Sequence, residues 1–266
     1  MSGAVIENAS LNLATLKSAS FDRKLHAALS AGFPAVGLIH EEMQRLGAEG
    51  LKELRLSELL VSDIVGVSGW MSGDRSSRSV AIFQAERAFE LAAEVRCDLV
   101  VAEPEAGPVD PIAGAVDFHG LCRLAEPYGV RVGLEFNGGF QQVKDVAAAW
   151  EIVQGAEAEN GGLVVDAFHF HWGGSTVDML EGVPGKSIFL VQVSDCMERP
   201  RYEVEDGDRV YPGEGAIALE PLVAAMKGKG YAGYYSLEVL NEDYWQEDPM
   251  IVARDAMRAV RRLQVG

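Results

Sequence analysis

Short apolar runs alternate along the whole chain with longer segments in which apolar residues recur every three or four positions. The short runs read as strands and the longer segments as amphipathic helices. The pattern predicts strands at 4–13, 35–39, 63–67, 98–102, 132–135, 163–166, 188–192 and 234–238. Helices are predicted at 21–30, part of 46–60, 80–95 and 116–128, and near 143–154, 176–180, 219–229 and 250–263. Regular alternation implies a parallel sheet, and eight units imply closure. The expected fold is therefore α/β, a (β/α)8 TIM barrel formed as one domain over residues 1–266. The alternative, an open doubly wound sheet, would want a Gly-rich phosphate turn after the first strand. Glu7-Asn8-Ala9-Ser10-Leu11-Asn12 supplies none.

The last four apolar runs share a second property. Each ends in or contains one residue able to bind a metal: Glu135, Asp166, Gln192 and Glu238. A carboxylate in or just beyond a buried strand is costly unless it is paired or metal-bound. In a barrel the C-terminal strand ends converge on one face, where functional residues gather. Each carboxylate alone could cap the next helix or pair with an arginine, whereas four such residues in successive strands point to one site. Three carboxylates and an amide oxygen form an all-oxygen set suited to a hard cation, Mn2+ or Mg2+, with Zn2+ or Co2+ as softer alternatives.

Neighbouring segments add candidate substrate contacts. In Asp166-Ala167-Phe168-His169-Phe170-His171-Trp172, side chains along an extended strand end would alternate, so Asp166 and both histidines cannot all point one way. His169 is placed to touch a substrate hydroxyl; His171 fits that role and that of a packed loop histidine equally. Arg209, before the Pro212-Gly213 turn, could hold a substrate oxygen or form a structural ion pair. Trp70 and Trp172 read either as apolar pocket walls or as core aromatics.

Composition removes several classes of partner. With 23 basic against 40 acidic residues and a net charge of −17, the chain lacks the basic surface that nucleic acid requires. No apolar stretch approaches the ~18 residues of a membrane span. The start of the chain shows no basic region followed by an apolar run, and Cys97, Cys122 and Cys196 are too widely spaced for a metal or redox motif. Reduced thiols and a cytoplasmic location are expected.

At these residues the chain resembles the xylose isomerase-like TIM barrels, a group of sugar isomerases and epimerases, and within it the 2-keto-myo-inositol (inosose) isomerase type of inositol catabolism. The resemblance rests on Ala125-Glu-Pro-Tyr-Gly-Val-Arg-Val-Gly-Leu-Glu135-Phe136, Gly162-Leu-Val-Val-Asp166-Ala-Phe-His-Phe-His171, Asp208-Arg-Val-Tyr-Pro-Gly-Glu-Gly-Ala216 and Ser236-Leu-Glu238. It implies one divalent metal held by Glu135, Asp166, Gln192 and Glu238, with Glu135 and Glu238 also exchanging protons with the substrate. It implies substrate contacts from His169, Arg209 and Gln141. The implied reaction on a ketose, inosose or related polyol is proton abstraction alpha to a carbonyl through a metal-stabilised enediolate. A dehydratase acting on an inosose or dehydroshikimate-like substrate shares that first step, and a non-catalytic sugar-binding subunit is a third reading. Relatives in this family are often dimers or tetramers, so a homo-oligomer accords with the resemblance. Three positions depart from the family pattern. Gln192 stands where histidine is usual, strand two ends in Gly37-Leu38-Ile39-His40 without an acid, and Ala102-Glu103-Pro104-Glu105 lacks a lysine near strand four. Glu103 could act as an added acid or base, or cap the following helix.

Overall fold

A computed structural model describes residues 8–71 and 73–263. Eight parallel strands close into a barrel: Ala9–Asn12, Ala35–Ile39, Leu60–Val67, Leu99–Ala102, Arg131–Glu135, Gly161–Asp166, Ile188–Val193 and Tyr234–Leu237. The first strand pairs on one side with the second and on the other with the eighth, which completes the ring. The strands are largely buried on both faces, as parallel strands covered by helices are. Of the predicted first strand, residues 4–7 lie outside the described residues. No helix among the described residues is long and apolar enough to cross a membrane.

Most boundary differences come from caps that periodicity does not weigh. Asp74 accepts from the Ser77 amide and Asp110 from the Ala113 amide, so helices begin at Arg75 and Pro111, ahead of the apolar spacing. The helix after strand two starts at His40 and runs to Ser57, kinked at Gly47, whose φ of 54° only glycine adopts readily. The segment predicted as helix near 176–180 is a 3-10 turn, Val177–Leu180.

The barrel interior is apolar at its N-terminal end and polar at its C-terminal end. Leu99, Val101, Val164, Phe189 and Leu190 fill the lower half. Gly162 makes this packing possible: a Cβ there would lie 2.5 Å from the Phe189 ring. Above this plug the inward positions carry Ser10, Asn12, Asp63, Glu135, Asp166, Gln192, Ser236 and Glu238, all buried. Strand three contributes through a bulge, since its register against strand two shifts between Val36 and Gly37. Ser62 then donates to Asp63 Oδ1 at 2.5 Å and also meets Ser10 Oγ at 2.6 Å. Bulges beside active sites re-aim side chains in this way.

Candidate active site

Strands five, six and eight deliver Glu135, Asp166 and Glu238 to one buried ring at the C-terminal mouth, and strand seven adds Gln192. In-register pairing puts Asp166 beside Gln192, and Gln192 beside Ser236 two residues before Glu238. Glu238 accepts from Asn12 Nδ2 at 2.7 Å and from Gln192 Nε2 at 3.2 Å. The Gln192 carbonyl oxygen is buried without a hydrogen-bond partner among the described residues.

The residues after Asp166 do not stay extended. Asp166 Oδ1 accepts from the Phe168 and His169 amides at 2.6 and 3.0 Å and caps a short helix, Ala167–Trp172. The strand alternation expected for His169 and His171 is thereby corrected: the two histidines sit on a helical turn. His169 faces inward, with Nε2 3.9 Å from Glu135 Oε1, while His171 is half-buried and does not line the cavity. One ligand atom each from Glu135, Asp166 and His169 lies within 4.8 Å of the others.

Arg209 is drawn into the same ring. A two-residue strand, Arg209–Val210, pairs antiparallel with Asp195–Cys196. Asp195 accepts from the amides of Gly213 and Ile217, and Asn241 donates to the Arg209 carbonyl, which fixes the loop. The guanidinium is 1% exposed. It donates to Asp166 Oδ2 at 2.8 Å and to Ser194 Oγ at 3.2 Å, and stacks 4.2 Å above the Phe168 ring. Its second terminal nitrogen lies 3.2 Å from His169 Nε2. Arginine has no acceptor, so His169 Nε2 accepts and the imidazole is neutral. Burial lowers the His169 pKa to about 4, consistent with that state.

The electrostatics separate the carboxylates. Burial raises Glu135 well above the usual carboxylate range, helped by the nearby charges of Glu238 and Asp166. Burial lifts Glu238 to about 8 against the opposing pull of Arg209. Asp166 goes the other way: burial opposes its ionisation, but the charge and hydrogen bond of Arg209 and the hydrogen bond from the His169 amide hold it below the ordinary value. A buried ring with two raised carboxylates, one arginine and an orphaned amide oxygen lacks positive charge. Its carboxylate and amide oxygens form a donor set that fits a divalent cation.

The ring opens into a cavity of about 440 Å3 that reaches Glu103, Asn137 and Asp206 on one side and Lys24, Glu42 and Trp245 on the other. Gln141 is exposed and does not line it. Trp172 acts one layer back, stacked on His169 at 5.9 Å. Its indole lies in a slot formed by two glycines: a Cβ at Gly138 would fall 2.6 Å from Trp172 Cβ, and one at Gly139 2.5 Å from the ring. Trp70 is a core residue, 1% exposed and packed on Phe118. Sequence reasoning passed over Asn12, Asp63, Lys24 and Glu42. Only Asn12, a polar residue closing a strand, carried a visible signal.

A model of the xylose isomerase-like TIM barrel family matches residues 25–263. The inosose isomerase of Halalkalibacterium halodurans is 40% identical over 139 residues, 51% of this chain and 49% of that enzyme. The 3-dehydroshikimate dehydratase of Pseudomonas aeruginosa is 29% identical over 257 residues, 93% of this chain and 40% of that enzyme. The matches thus span about half the length of the first relative and less of the second. Among solved structures, the IOLI protein with a bound zinc atom superposes with a TM-score of 0.90, covering 96% of this chain and 97% of that one at 24% identity.

Proposed function

Since the chain belongs to the xylose isomerase-like TIM barrel family, we propose that it is a divalent-metal-dependent isomerase or epimerase of a ketose, inosose or related polyol. The observation that carries this reading is the buried ring itself: Glu135 and Glu238, both raised by burial, line one cavity together with the neutral His169, and Asp166 lies fully buried within 4.8 Å of Glu135 and His169. In this reading Glu135, Asp166, Gln192 and Glu238 hold the metal. Its ionic charge, when bound, polarises a substrate carbonyl and stabilises the negative charge that develops on it.

The chain's own residues then divide the work. In an isomerase one glutamate takes the proton alpha to the carbonyl, the other returns a proton to the former carbonyl carbon, and the α-hydroxyl proton passes to the former carbonyl oxygen; in an epimerase the second glutamate returns the proton to the same carbon from the opposite face. Asn12, donating to Glu238, fixes the orientation of that carboxylate. Arg209 keeps Asp166 ionised and presents donors at the ring. His169, neutral, offers a hydrogen bond to a substrate hydroxyl without adding charge. The test is solvent exchange. Metal-loaded protein incubated with 2-keto-myo-inositol in D2O should incorporate deuterium alpha to the carbonyl. Glu238→Gln should abolish that exchange while the chain stays folded; full exchange in this variant would overturn the assignment.

A dehydratase is the second reading, favoured by the 93% coverage of this chain in the match to a 3-dehydroshikimate dehydratase. It shares the proton abstraction and then expels a β-hydroxyl. Ultraviolet absorbance from a newly conjugated product would identify it, since an isomerase creates none.

A further inference from the structure

On the wall opposite Glu135, two charged residues from different helices meet inside the cavity. Lys24 lies on the helix Phe21–Ala31 and Glu42 on the helix His40–Ser57. Lys24 Nζ donates to Glu42 Oε1 at 2.7 Å, and the two side chains are 1% and 15% exposed. Both line the cavity that Glu135 and Glu238 line. Burying an ion pair costs desolvation that apolar residues of similar size avoid. Two apolar side chains would fill the same space at no loss of stability, so the charges themselves call for a role beyond packing. The pair is also incomplete. Glu42 Oε2 is buried with no hydrogen-bond partner among the described residues. Lysine carries three donors, and one hydrogen bond accounts for one of them.

We infer that Lys24 and Glu42 form a hydroxyl-binding subsite, a specificity-determining pair that grips the end of the substrate remote from the metal ring. The inference rests on the enolising reading above and narrows its substrate class. A free carboxylate oxygen beside an ammonium offers an acceptor and donors at one point. A hydroxyl, or two adjacent hydroxyls, satisfies both at once. A carboxylate or phosphate at that position would meet the bare Glu42 oxygen and be repelled. The chemistry selects a neutral, polyhydroxylated end. Lys17 and Arg45, also on this wall, are exposed at the rim and do not replace the buried pair.

Two variants test this in the Mn2+-loaded full chain. Glu42→Gln keeps the shape and turns the free acceptor into a donor. Lys24→Met/Glu42→Leu removes both charges together, which leaves no buried charge unpaired and protects the fold. Calorimetric titration with 2-keto-myo-inositol should show affinity about tenfold weaker or more in each, the loss of roughly one buried hydrogen bond. Mn2+ affinity should stay within about twofold, since neither residue belongs to the ring. Unchanged polyol affinity in the double variant would overturn the subsite, as would wild-type protein binding 3-dehydroshikimate as tightly as the polyol. Deuterium exchange by the wild type separates the two readings. Exchange that persists with unaltered KM in both variants removes the subsite alone. Pair-dependent polyol binding without any exchange supports the subsite and removes the enolising reading.

Discussion

Replacing Arg209 with methionine isolates what the buried cation does. The guanidinium bonds Asp166 at 2.8 Å, His169 at 3.2 Å and Ser194 at 3.2 Å, and sits 3.9 Å from Glu238. Methionine retains much of the apolar stem, fills most of the buried volume and gives up only the guanidinium's stack on Phe168. What remains is Asp166, fully buried, with one carboxylate oxygen stripped of its partner. Breaking a buried pair by removing one member costs about 3–5 kcal/mol, a large part of the ~5–15 kcal/mol of a typical domain. A divalent cation restores positive charge to the same ring, and at a hundredfold excess over Kd it adds ~2.7 kcal/mol by mass action. Without Arg209 the ring is more negative, so the metal should stabilise Arg209→Met more than the wild type. Denaturant unfolding of both proteins, once in chelator and once in saturating Mn2+, measures this directly. The deficit of the variant should be about 3–5 kcal/mol in chelator and clearly smaller with metal. A deficit below ~1 kcal/mol, the scale of an exposed pair, or one that metal leaves unchanged, would refute the reasoning.

Stability against pH provides another check. Glu238 titrates near 8 in the folded metal-free chain against an ordinary 4.5, so the folded state holds more protons than the unfolded one between those values. Metal-free stability should therefore fall as pH rises from about 4.5 to 8, and Glu135, raised likewise, adds to the slope. Asp166, depressed, contributes stability above its ordinary 3.8 that is lost on further acidification, so the curve should turn over on the acid side. Metal competes with the same protons, so calorimetric metal affinity should strengthen with pH up to about 8; a flat profile would contradict the ring. Asp63, fully buried, is raised by burial to about 6 despite the Ser62 hydrogen bond. Asp63→Asn should therefore gain about 1.4 kcal/mol relative to wild type on going from pH 5 to pH 8, since the unfolded carboxyl is already ionised at pH 5 and the folded one ionises only above about 6, read by unfolding at the two pH values.

The barrel and the ring were legible for the same reason. A strand-ending carboxylate after an apolar run is conspicuous, and a closed parallel sheet brings such ends together, as it does Glu135, Asp166, Gln192 and Glu238. Other features were hidden by local ambiguity. Ala167-Phe-His-Phe-His-Trp172 alternates apolar and polar positions and so reads as extended, yet the Asp166 cap starts a helix there. Asp63 lies within a strand, and nothing in the alternation announces the bulge that turns Ser62 and Asp63 together into the interior. Lys24 follows Asp22 and Arg23, both exposed, and no periodic pattern says which of three adjacent charges is buried. Its partner Glu42 is 18 residues away, a pairing that exists only once two helices have packed.

The glycine slot under Trp172 has a bearing on how this pocket can be remodelled. Gly138 and Gly139 follow strand five and Trp172 ends the helix after strand six, yet the three occupy one volume. Enlarging Gly139 first would drive a Cβ into the indole, and that indole supports His169. Shrinking Trp172 first opens the space beside Gly139 and makes that change tolerable, but not one at Gly138, where an added Cβ also falls 2.6 Å from the Gly173 backbone nitrogen. For Gly139 and Trp172 the order of substitution is thus asymmetric, and the effects of the two changes will not add. Directed evolution of the site should randomise Gly139 and Trp172 together and leave Gly138 fixed, because a path through one-residue steps at the pair has only one passable entrance.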